Sequence, residues 1–131
     1  MRLLLDTHVA LWAIAKRLRL PITIRDLIDD PANDVAVSAV SVWEIAIKNA
    51  LARGRADDIA VSGAQALTHF RGAGYAMLSV SADHGAAVER LPRLHGDPFD
   101  RLLVAQALSE PLRLVTHDAK LAAYSDTVIL F

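Results

Sequence analysis

Cysteine is absent from all 131 residues, which excludes disulfides, zinc-thiolate sites and thiol nucleophiles. Oxygen and imidazole are the only metal donors left. Glutamate is scarce, with three copies against twelve aspartates. Aspartate favours caps and turns, so any one of them is expected first at a helix start. No stretch of eighteen uncharged apolar residues occurs, and no membrane span is expected. The opening MRLLLDTHVALWAIAK has the arginine and apolar run of an export signal, but Asp6 and His8 interrupt the run, so export is rejected. Excess positive charge is also lacking, the formal net charge being -1. A polyanion would have to be held by a local basic strip or through bound cations. The strips are KRLRL (16–20), KNALARGR (48–55) and RLPRLH (90–95), and each reads first as an ordinary solvated face. A soluble protein of a reducing cytoplasm is expected.

What is present is an alternation of short apolar runs and helical patterns. Residues 3–5 read as a doubly buried strand that ends at Asp6, followed by a helix from Thr7 to Lys16. Pro21 opens a second helix to about Ile28, and VAVS (35–38) is the second strand. A long helix is expected from Ser41 to its stop at Gly54, and another over 62–72. YAMLSV (75–80) is a strand, ADHGAAVERL (82–91) a short helix and DPFDRLLVAQALSE (97–110) a longer one. RLVT (113–116), DAKLAAY (118–124) and TVILF (127–131) complete the series as strand, helix and strand. Such alternation predicts one domain over residues 1–131, a three-layer α/β/α sandwich around a mostly parallel sheet. Ligands of open parallel sheets collect beyond the carboxyl ends of the strands.

Four acids fall at that rim. Asp6 follows the first strand, Asp118 follows RLVT by one residue, Asp100 starts the helix before that strand, and Glu44 lies in the helix after VAVS. They converge if the sheet is parallel and its first and fourth strands are neighbours. Each also has a local explanation. Asp6 and Asp118 can cap helices, Glu44 completes an S-x-x-E box with Ser41 and pairs with Lys48, and Asp97-Pro98 is a helix-start signal. Grouped carboxylates resist joint ionisation unless a cation compensates them, and an all-oxygen set suits Mg²⁺ or Mn²⁺. Such an ion can activate water and orient a phosphodiester, which makes phosphodiester hydrolysis the natural chemistry.

The segments LLLDTHVALW, VSAVSVWEIAIK, HGDPFDRLLVAQA and LVTHD stand in an order and spacing that resembles the PIN-domain ribonucleases, and within them the VapC toxins of bacterial toxin-antitoxin pairs. The resemblance spans nearly the whole chain. It implies that Asp6, Glu44, Asp100 and Asp118 bind Mg²⁺ or Mn²⁺, with Asp97 a nearby second carboxylate. Thr7 and Thr116 are then expected to hydrogen-bond the acids, or to be ordinary junction hydroxyls. The resemblance also implies a PIN-like fold, an RNA substrate, frequent dimers, and a VapB-like antitoxin whose peptide blocks the acidic groove.

Lys48 and Arg101 are candidates for phosphate contact, or for salt bridges. His8, His95 and His117 neighbour the acids and suggest a general base, although packing or hydrogen bonding explains each as well. His69 and His84 read as structural. Trp12 and Trp43 fall on apolar helical faces and are expected in the core or an interface. The leading reading is a metal-dependent endoribonuclease that acts as the toxin of a type II toxin-antitoxin system. The alternatives are another metal-dependent phosphoester hydrolase, such as a DNA nuclease or phosphatase, and a noncatalytic module whose acids merely cap helices. A phosphatase with a nucleophilic aspartate usually has D-x-D after its first strand, whereas this chain reads DTH.

Overall fold

Leu3, Leu4 and Leu5 of the first strand, β1 (Arg2–Leu5), have no solvent exposure at all, and their alternation explains the layers. In the computed structural model, which describes residues 1–131, Leu3 and Leu5 point into one core and Leu4 into another. The first core is completed by α1 (Thr7–Ala15), α2 (Ile22–Asp29), α3 (Ala39–Ala50) and α4 (Gly63–Gly72). The second is built mainly from α6 (Pro98–Ser109) and α7 (Ala119–Ala122), with α5 (Ala82–Ala87) packed on α6. Burial of each such leucine stabilises the fold by about 1.5–3 kcal/mol.

Between the two helical layers lie β1, β2 (Asp34–Ser38), β3 (Ala76–Leu78), β4 (Arg113–Thr116) and β5 (Ile129–Leu130), in the order β3-β2-β1-β4-β5. Every pairing is parallel. The sheet is therefore the central layer of an α/β/α sandwich, with β1 and β4 side by side as the convergence of the acids requires.

Several local readings are corrected. The helix after β2 begins at Ala39, not Ser41, because Ser38 is its N-cap and accepts from the Val40 amide. Ser41 is thereby buried inside the helix, and its S-x-x-E box with Glu44 does not form. The same helix ends at Ala50, short of Gly54. Asp58 draws the following chain into a turn by accepting from the Arg53 and Arg55 amides at 2.8 and 2.7 Å, and Gly54 supplies that turn with φ of +80°. The strands at 75–80 and 127–131 shorten to three and two residues, and a 3₁₀ turn at Val88–Arg90 interrupts the expected helix at 82–91.

Gly63 marks a close approach of α4 to α3. A Cβ there would lie 2.9 Å from the Ala46 Cβ and 3.2 Å from the Val42 carbonyl oxygen. Gly63→Ala is expected to destabilise the fold by about 1–3 kcal/mol in urea unfolding, as overpacking does. Gly72→Ala, with nothing within 4 Å of its new methyl, is expected to leave the midpoint unchanged or slightly raised.

Candidate active site

The carboxyl-end rim is organised by one threonine. Asp6 extends the sheet by one bond, its amide donating to the Val115 carbonyl at 3.0 Å, and its Oδ1 then caps α1 by accepting from the Val9 amide at 2.9 Å. Its Oδ2 accepts from the Thr116 hydroxyl, whose oxygen in turn accepts from the Asp118 amide at 3.0 Å. Thr116 thus ties the acid after β1 to the acid after β4. Asp6 is only 8% exposed, and burial pushes its carboxyl above the usual range despite these hydrogen bonds.

Glu44 is buried on α3, where the Thr7 hydroxyl donates to its Oε1 at 2.7 Å and Lys48 to its Oε2 at 2.5 Å. Thr7 also lies 2.9 Å from the buried Ser41 hydroxyl. Burial pulls the Lys48 ammonium down, but the Glu44 hydrogen bond and the charges of Glu44, Asp97 and Asp100 outweigh it and raise the pKa.

Asp97 is the N-cap of α6 and accepts from the Phe99 and Asp100 amides at 2.8 and 3.2 Å, with Pro98 in the first turn as the sequence signal demands. That leaves the Asp100 carboxylate free of capping duty. Burial, then the charges of Asp97, Glu44 and Asp6, push it up to about 6. His95 Nε2 lies 2.9 Å from Asp100 Oδ2 and 3.3 Å from Asp118 Oδ2, so the imidazole bridges two acids. Asp118 also caps α7 by accepting from the Lys120 amide.

Asp6, Glu44, Asp97, Asp100 and Asp118 all line one cavity of about 400 Å³, together with Thr7, His8, Trp12, Lys48 and His117. A larger cavity of about 760 Å³ opens at the amino ends of β2 and β3, where Arg17 and Asp29 neutralise each other. The small one gathers the acids. Donor atoms of His95, Asp100 and Asp118 fall within 4.8 Å of one another, and the oxygen-rich set fits a hard divalent cation. Two carboxyls held above their ordinary range, with one lysine among five acids, are the electrostatic sign of a site built around positive charge.

Other candidates have other partners. Arg101 does not line this cavity, and its guanidinium is engaged by the Pro92, Val88 and Leu91 carbonyls and the Tyr124 hydroxyl, which fixes the loop before α6. The phosphate-contact reading of Arg101 is withdrawn on that ground. His117 is occupied by the Phe131 carbonyl and ring. His84 is buried against Glu110, and His69 lies at the larger cavity. The tryptophans part ways: Trp43 is 59% exposed, edge-on to Phe99, and Trp12 is half-buried, packed against the first core at the wall of the acid cavity. His95 is the residue that local sequence patterns undervalue, since nothing in the loop before α6 marks it except its distance of five residues from Asp100.

The sequence matches the PIN domain family over residues 3–126. The chain belongs to the PIN domain family. It is 36% identical over 122 residues to Ribonuclease VapC22 of Mycobacterium tuberculosis, a match that covers 92% of this chain and 90% of that one. Its fold is similar to a chain in the crystal structure of VapBC2 from Rickettsia felis bound to a DNA fragment from their promoter. There the TM-score is 0.69 at 19% identity, covering 100% of this chain and 98% of the other. A chain of VapBC-5 from Mycobacterium tuberculosis, described as a member of the VapBC family of toxin-antitoxin systems, superimposes with a TM-score of 0.62 at 25% identity, covering 99% and 98%. This PIN domain contains no helix long and apolar enough to cross a membrane.

Proposed function

We propose that this PIN domain, with residues 1–131 as one catalytic unit, is a metal-dependent endoribonuclease and the toxin of a type II toxin-antitoxin pair. The observation that carries the reading is the ring of five carboxylates around one small cavity, in a chain 36% identical to a VapC ribonuclease. The PIN ribonuclease family is metal-dependent. Here Asp6, Glu44, Asp100 and Asp118 would hold Mg²⁺ or Mn²⁺, and His95 and Asp97 would flank it. A divalent cation bound there supplies an acidified water and neutralises charge that develops on the phosphodiester.

The chain's own groups prepare the cavity for that work. Thr116 and Thr7 fix Asp6 and Glu44 in single orientations, so neither acid must reorganise when RNA arrives. Lys48 places an ammonium beside Glu44, where it offsets repulsion between a phosphate and the acids. His95 Nε2 holds Asp100 and Asp118 together. A VapB-like antitoxin peptide laid over this rim would stop cleavage, and an arginine from it would pair with the carboxylates. The expected setting is the cytoplasm, with the toxin a homodimer.

Purified, antitoxin-free protein is expected to cut total cellular RNA into discrete fragments with Mg²⁺ or Mn²⁺ and to leave it intact with chelator. Cleavage that persists in chelator would sink the reading.

Metal affinity should also depend on pH. Asp100 must release its proton to bind a cation, and its pKa is near 6, so Mn²⁺ affinity is expected to fall about tenfold from pH 7 to pH 5 in calorimetry. The metal-free protein should show the opposite trend in stability. A carboxyl raised from 3.8 to about 6 on folding contributes stability that is complete below 3.8 and lost as the pH rises through 6. The thermal midpoint without metal is therefore expected to fall by a few degrees from pH 5 to 7. Saturating Mn²⁺ should reverse that fall.

A further inference from the structure

The acid cavity opens sideways along α1. His8 and Trp12 line it, and both also line a second cavity of about 430 Å³ between α1 and residues 56–61, with Leu11, Ile59 and Val61 among its walls. The His8 ring stacks on Trp12 at 6.2 Å between centroids and 23° between planes. On another side the indole is held by Phe131 and His117 at 6.5 and 5.9 Å. The Arg19 guanidinium lies 5.6 Å from the centre of the Trp12 ring. Within the basic strip 16–20, Arg17 is committed to Asp29, whereas Lys16 and Arg19 line the groove and form no ion pair within the chain. Asp58 is turned to its backbone amides, and Asp57 is the one other acid in the wall.

We propose that this groove is a nucleobase subsite. The base of a nucleotide next to the scissile phosphate takes the place of the Arg19 guanidinium over the Trp12 ring, and Arg19, so released, and Lys16 receive the phosphates of the same strand. The proposal rests on the endoribonuclease reading of the acid cavity and adds how the strand is held beside it. Two features favour a nucleic-acid strand as the occupant. The groove is continuous with the place where a phosphodiester would react, and its cations are the unpaired charge that a polyanion needs when it approaches five carboxylates. Stacking on a single indole requires an unpaired base, so the strand must be single-stranded at that point.

The test is binding of a short, fluorescently labelled single-stranded oligoribonucleotide, read by anisotropy in chelator so that the strand stays whole. Trp12→Leu is expected to weaken binding roughly fivefold to a hundredfold, the range for loss of one base-aromatic stack. Arg19→Ala, an exposed position that leaves the core untouched, is expected to weaken it several-fold and to lower the salt slope by about one. A series of strands with one abasic residue should contain a position where wild type loses the Trp12 factor and Trp12→Leu loses nothing more. Thermal midpoints of both variants check that they fold. Wild-type affinity in both folded variants overturns the subsite, and it leaves the ribonuclease standing if wild type still cuts RNA with metal. Loss of a co-expressed antitoxin with unchanged RNA binding likewise overturns it, making the groove a protein-docking surface. Weakened RNA binding in a protein that never cleaves supports the subsite and removes the ribonuclease reading.

Discussion

Asp6→Asn is expected to lower metal-dependent RNA cleavage at least about a hundredfold while the chain still folds, which is the scale for removing one strong electrostatic contribution to a transition state. The reason lies in the two duties of this side chain. As a cap it accepts from the Val9 amide, and an asparagine oxygen does that equally well. Its other oxygen accepts from Thr116, and an amide NH₂ there can donate to the threonine oxygen instead. The charge is lost, and the buried Thr116 hydroxyl gives up its acceptor. Because burial already opposes that charge, its removal offsets the unpaired hydroxyl, and the metal-free variant should melt close to the wild-type temperature. Cleavage assays on a defined oligonucleotide, beside thermal melts with and without Mn²⁺, check both halves. A variant that folds and still cuts at the wild-type rate would remove Asp6 from the site.

Asp100→Asn should be as damaging, again about a hundredfold or more, whereas Asp97→Asn should cost about tenfold at most. The two aspartates stand three residues apart at the start of one helix, so the comparison isolates function from position. Asp97 spends its Oδ1 on two backbone amides, and asparagine preserves that cap. Asp100 caps nothing and meets His95 and the other carboxyls in the cavity. In Asp97→Asn the Asp100 carboxyl should also drop back toward its ordinary range, since Asp97 is the foremost charge that raises it. Carbon-detected NMR titration of the Asp100 side chain would register that movement. Equal losses in the two variants would mean that the helix start matters and the individual acid does not.

The sandwich was legible because alternating buried strands and helices leave few architectures, and Leu3-Leu4-Leu5 is apolar on both faces. The gathering of Asp6, Glu44, Asp100 and Asp118 was legible only through the resemblance and the assumed strand order, since no spacing along the chain measures distance. Local rules failed where they were degenerate. Ser38 and Ser41 both precede apolar helical residues; Ser38 takes the cap, and Ser41 is buried inside the helix against Thr7, 34 positions before it. The stop at Gly54 was overridden by Asp58, whose two backbone hydrogen bonds lie beyond the reach of a helix-end pattern. His95 was obscured because its partners, Asp100 and Asp118, come from the start of one helix and the cap of another. Trp12 reads as core or interface from its apolar neighbours, and it packs against the first core while its ring lines two cavities, which no local pattern marks.

The margins of the sheet are its shortest strands, three residues in β3 and two in β5. A ladder of that length offers too few backbone groups to recruit another chain as an added strand. Short edges leave the side chains of helices and loops as the main surface for assembly. Backbone ladders are nearly indifferent to sequence, but side-chain surfaces are not. Partner choice is therefore written residue by residue, in exposed apolar side chains of the kind that Trp43 and Ile47 on α3 and Leu51 at its C-cap present.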